Sequence, residues 1–172
     1  PTLYVAFELS AKSWKLGLTA GFGIEPWVQT VAARDWGTVR RVLQRARARF
    51  GLGPTAGTVS CYEAGRDGFW IHRALVAQGV SNRVVDSASI EVSRRSRRSK
   101  TDRIDARKLV QMLVRACLGE PHVWREVHVP PIAAEAARHV SRERSELVAE
   151  QTRLTNQVQN VLTTYGTGLP KR

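Results

Sequence analysis

The sequence predicts an α/β fold, a mixed sheet flanked by helices and followed by one long helix. Three observations predict it. Residues 3–33 read as three short strands joined by tight connections. Residues 37–118 then switch repeatedly between helical period and short apolar runs. Residues 132–165 hold no Gly or Pro and repeat apolar positions every seven residues.

Residues 3–9, Leu-Tyr-Val-Ala-Phe-Glu-Leu, form a buried strand bearing one acid. Residues 14–20 alternate and supply its hairpin partner. Gly21 to Gly23 turn the chain into a third strand over 27–33, which completes an antiparallel meander. Residues 37–50 place Val39, Val42, Leu43, Ala46 and Phe50 on one helical face, with Arg40, Arg41, Arg45, Arg47 and Arg49 opposite. Gly51 to Pro54 stop that helix. A fourth strand spans 57–63 and ends on Glu63. A helix over 67–78 carries Phe69, Ile71, Leu75 and Val76, and a fifth strand occupies 82–86. A polar, basic stretch runs from Ser87 to Thr101. The third helix covers 102–118, with Ile104, Leu109, Met112, Leu113 and Ala116 inward. Residues 119–131 are a Pro-bearing connector. In the long helix, Ala133, Val140, Leu147, Leu154 and Val161 make one seam. The second seam, Ala137, Arg144, Gln151, Val158 and Tyr165, is half polar. The element order β-β-β-α-β-α-β-α is that of the ribonuclease-H-like fold.

The chain has 172 residues, enough for one domain and an appendage and for a core without disulfides. Lys+Arg is 27 against Asp+Glu 15, a net charge of +12. Such an excess points to a polyanionic partner and away from small acidic substrates. Arg supplies 22 of the 27 cations. Bidentate phosphate contacts and a G+C-rich genome both account for that bias. Cys61 and Cys117 lie in apolar runs, and the four histidines, His72, His122, His128 and His139, are scattered, so neither a disulfide framework nor a zinc site is expected. A cytoplasmic location follows. The start at Pro1 and the segment Gly168 to Arg172 suggest a trimmed piece ending in a linker, residues 166–172, to a further domain.

The acids carry the chemistry. Glu8 interrupts an apolar strand, Glu63 ends the strand expected beside it, and Asp102 and Asp105 are three apart at a helix start. An acid within a buried strand is unfavourable unless neutralised. Convergent carboxylates repel, and Mg²⁺ relieves that repulsion while retaining sites for water and phosphate. Two such ions suit phosphodiester cleavage. Structural alternatives stand beside this reading: an exposed strand position for Glu8, a strand-end acid for Glu63, and a cap with a first-turn acid for Asp102 and Asp105. Arg94, Arg95, Arg97, Arg98, Lys100 and Arg103 directly precede or flank the paired aspartates. They are expected to hold nucleic-acid backbone. His72 and the five Trp residues read as structural. Residues 9–14 contain no Gly, which argues against a sugar-kinase-like ATPase on a related fold.

Ala6 to Ser10 with Lys12, Tyr62 to Gly65, and above all Ser99-Lys100-Thr101-Asp102-Arg103-Ile104-Asp105-Ala106 resemble the N-terminal DEDD, RuvC-like domain of bacterial insertion-sequence transposases related to the Piv DNA invertase. The resemblance covers nearly the whole chain. It implies a RuvC-like catalytic domain over 1–118 and a coiled-coil segment over 132–165 that joins protomers. It implies Mg²⁺, with Mn²⁺ as substitute, held by Glu8, Glu63, Asp102 and Asp105 for DNA strand cleavage and exchange. It also implies a structured non-coding RNA that selects DNA partners, and a separate C-terminal domain with a catalytic serine. One departure stands out. The family's first acid is normally Asp, and Glu8 carries its carboxylate about 1.5 Å further out. A catalytically weak nucleic-acid-binding and oligomerisation module is the rival expectation.

Overall fold

The computed structural model describes residues 1–65, 68–90 and 105–168. It divides into two compact units, Pro1–Val129 and a second beginning at Pro130.

The first unit is built on a five-stranded sheet. Strands β1 (Thr2–Leu9), β2 (Ser13–Thr19) and β3 (Trp27–Ala32) form the antiparallel meander. Helix α1 (Trp36–Arg49) then leads to β4 (Gly57–Glu63), and α2 (Trp70–Ala77) leads to β5 (Ser81–Val85). The sheet order is β3-β2-β1-β4-β5, with β4 parallel to both β1 and β5. Helix α3 (Ala106–Cys117) follows. This mixed sheet with its helices has the ribonuclease-H-like topology.

Strand alternation divides the core into two layers. Leu3, Val5, Phe7, Trp14, Leu16, Leu18 and Tyr62 face α1 and α2. Trp14, Trp36 and Trp70 meet there, with ring centroids 5.4–6.1 Å apart. Ala6, Cys61 and Val85 face the other way, onto Leu109, Val110 and Leu113 of α3. Asp35 caps α1 by accepting from the Thr38 amide at 2.9 Å.

Most elements match the sequence reading to within one residue; two helix starts and one connector differ. Helix α3 begins at Ala106 rather than at 102, because Asp105 is its N-cap and accepts from the Lys108 amide at 2.8 Å. Asp105 therefore precedes the helix, whereas Asp102 lies outside the described residues. Helix α2 begins at Trp70 rather than at 67. The connector after α3 is not plain coil. Its residues 125–127 run along the outer edge of β5, where Glu126 bridges Val85 and the Val127 amide donates to the Val84 carbonyl at 2.8 Å.

The second unit is α4 (Ile132–Thr164), 33 residues with no buried side chain. At 1.5 Å per residue it is about 50 Å long. Val140, Leu147, Leu154 and Val161 are all exposed.

Candidate functional site

Three of the four acids lie among the described residues. Asp102 does not, nor do Arg94, Arg95, Arg97, Arg98, Lys100 and Arg103. The parallel register of β1 and β4 ends with Phe7 opposite Tyr62. Glu8 and Glu63 each follow by one residue, so they stand side by side at the C-terminal ends of neighbouring strands. Both share strand parity with the layer that faces α3, Glu8 with Ala6 and Glu63 with Cys61. The antiparallel register extends this row to Lys15, directly opposite Glu8, and the next parallel pair places Val85 beside Glu63.

Helix α3 enters above the same row. Gly17, paired with Ala6, lies beneath the Ala106 backbone, and no side chain fits between them. Arg107 forms an ion pair with Glu25 of the β2–β3 connection, which ties down the first turn of α3. The N-terminus of α3 is thereby seated over β2, on the face that carries Glu8 and Glu63.

Glu8 is half-buried on this face. Its Oε2 is buried and accepts no hydrogen bond. The Lys15 Nζ is 3.7 Å from that oxygen and lies on a side chain that is half exposed. A buried carboxylate oxygen with no hydrogen-bond donor, on the strand beside the one that carries a second acid, suits a hard divalent cation. Among the described residues, however, no group of three or more His, Cys, Asp or Glu is arranged to hold a metal ion. The sheet register sets Glu8 and Glu63 at the same level of adjacent strands, and one Asp105 oxygen is committed to the helix cap.

Other residues fall as follows. Cys61 and Cys117 are free thiols, and burial pushes both pKa values up. His72 is structural: its Nδ1 lies 2.9 Å from the Asn82 amide nitrogen, and Asn82 Oδ1 accepts from Ser60. Trp27 differs from the core tryptophans. It is partly exposed, with the guanidinium carbons of Arg45 and Arg49 each 5.6 Å from its ring centroid. Sequence reasoning passed over Lys15 and Gly17. The hairpin register could have revealed the first, and a glycine inside a strand pattern signals the second.

Comparison with known proteins places the chain among the transposases. The chain is a member of the family whose model is described as transposase, of the DEDD IS110 type, matched over residues 37–167. That span includes Glu63 and Asp105 and begins after Glu8. The chain is also similar to the protein named "Putative transposase y4rJ" of Sinorhizobium fredii (strain NBRC 101917 / NGR234), 40% identical over 167 residues. The alignment takes in 95% of this chain and 42% of that relative, so the chain spans less than half the relative's length. No solved structure matches the chain significantly. No helix among the described residues is long and apolar enough to cross a membrane.

Proposed function

We propose that this chain is the N-terminal catalytic domain of an insertion-sequence transposase, acting in the cytoplasm on DNA strand cleavage and exchange. The observation that carries the reading is the pair Glu8 and Glu63, set side by side on the face that receives the α3 N-terminus. In this reading Glu8, Glu63, Asp105 and Asp102 hold Mg²⁺, or Mn²⁺ in its place. The ion supplies charge neutralisation at the scissile phosphate. Glu8 and Glu63 orient it from the sheet. Arg94, Arg95, Arg97, Arg98, Lys100 and Arg103 hold nucleic-acid backbone beside it. Helix α4 joins protomers through its exposed apolar seam. A structured RNA that selects the DNA partners completes the expectation.

Mn²⁺ titration followed by electron paramagnetic resonance tests the metal site. Saturable binding that weakens at least tenfold in Glu8→Gln and in Glu63→Gln supports it. Wild-type protein without saturable binding removes it.

A second reading has a specific observation behind it. Lys15 already neutralises Glu8, as it would in a nucleic-acid-binding module with no working metal. Binding absent in wild type but gained in Glu8→Asp would favour that module.

A further inference from the structure

Helix α1 contains five arginines and no acidic residue. Arg41, Arg45 and Arg49 follow one another at four-residue intervals and form a single row about 12 Å long, with Arg40 beside it. All four are exposed. Like charges at this spacing destabilise a helix, so the row works against the element that carries it.

The partners of these arginines are informative. Arg41 donates to Thr38 Oγ1, which in turn bonds the Asp35 carboxylate, and so is partly compensated. Arg40, Arg45 and Arg49 have no carboxylate within ion-pair distance among the described residues. Arg45 and Arg49 instead lie over the same Trp27 indole on β3, which attracts both cations through its π face without cancelling either charge. The indole restrains two guanidiniums whose donors stay available. Phosphate binding favours such preorganised forks.

Location separates this surface from the acids. Val39, Val42, Leu43 and Ala46 seat α1 on the core layer opposite the one beneath α3. The arginine row thus lies on the other side of the sheet from Glu8 and Glu63, at the β3 edge. A duplex strand presents about three to four phosphates over 12 Å of axis, enough to meet each guanidinium.

We propose that the Arg41–Arg45–Arg49 row, with Arg40 and the Trp27 platform, is a docking surface for the phosphate backbone of duplex DNA. It holds a segment other than the one beside the acids. This rests on the transposase reading for its choice of DNA, whereas the surface itself rests on α1 and β3.

The test is fluorescence anisotropy of this chain with a short DNA duplex of arbitrary sequence, across a salt series. The triple variant Arg41→Gln, Arg45→Gln, Arg49→Gln should lower the slope of log affinity against log salt by about 2–3. The triple variant Arg138→Gln, Arg142→Gln, Arg153→Gln on α4, at exposed positions outside both seams, removes equal charge and should leave the slope nearly intact. A double variant, Arg45→Lys with Arg49→Lys, keeps the charge and the fold, and should retain the slope. An unchanged slope in the α1 triple overturns the proposal, as does an equal loss in both triples, which would mean diffuse attraction to net charge. A loss confined to duplex RNA overturns the choice of DNA. Mn²⁺ binding measured on the same variants reports the acids separately, so failure here and failure of the catalytic reading are distinguishable.

Discussion

The carbonyl oxygen of Ala106 occupies the space that a Cβ on Gly17 would need. Helix α3 can approach β2 this closely because the strand offers no side chain there. Gly17→Ala must push backbone against backbone. We expect a loss of about 1–3 kcal/mol in urea unfolding, the range for overpacked cores. The start of α3 should shift with it and weaken Mn²⁺ binding. A stable Gly17→Ala protein with native Mn²⁺ affinity would show that the approach does not position the site.

Lys15 competes with any cation for Glu8. Lys15→Met should therefore tighten Mn²⁺ binding several-fold. Its effect on stability should stay within about 1 kcal/mol, because the pair is partly exposed and screened. Weaker binding in Lys15→Met would assign the lysine to site assembly instead.

The observed cap and the proposed metal-holding role of Asp105 are separable. Asp105→Ala removes the acceptor for the Lys108 amide and should cost about 1 kcal/mol. Asp105→Asn keeps an acceptor and should keep the stability. If Asp105→Asn also keeps Mn²⁺ affinity, the residue is a cap and nothing more.

Stability should fall on the acid side through His72. The Asn82 amide nitrogen only donates, so Nδ1 of His72 accepts and the ring is neutral. Burial, aided by the Arg73 charge, lowers its pKa below the ordinary 6.5. The folded state thus prefers the neutral ring. This contribution is complete above the ordinary value and is lost as pH falls through it toward the lowered one. Urea midpoints from about pH 8 to pH 5 should drop for wild type and stay flatter for His72→Gln. Parallel profiles would place the titration elsewhere.

Helix α4 buries none of its own side chains, and isolated helices depend on packing for most of their stability. Leu147→Glu with Leu154→Glu should abolish self-association in sedimentation velocity. An unchanged oligomer would locate the contact outside this seam.

Much of this was readable from periodicity. The apolar runs already placed Glu8 within β1 and Glu63 at the end of the strand expected beside it, and the heptad spacing already marked α4. Local pattern failed where tertiary contact decides. Thr101-Asp102 reads as a helix opening, but the described helix is capped by Asp105. Nothing in residues 119–131 announces that 125–127 will hydrogen-bond the edge of β5, since that pairing depends on where the chain returns. Trp27 falls on an apolar period like Trp14, and only the packing of α1 over the sheet edge gives it two arginine neighbours.

The two margins of the sheet are treated differently. Residues 125–127 close β5, whereas β3 is the last strand on its side among the described residues. An open margin invites stacking of one molecule on the next, and natural proteins guard such margins with charge. Arg45 and Arg49, poised over Trp27, give that margin a strong positive field, so two copies repel there. Neutralising them should make the protein less soluble as well as weaker in salt-sensitive attraction to polyanions, and light scattering would register the change before any precipitate formed.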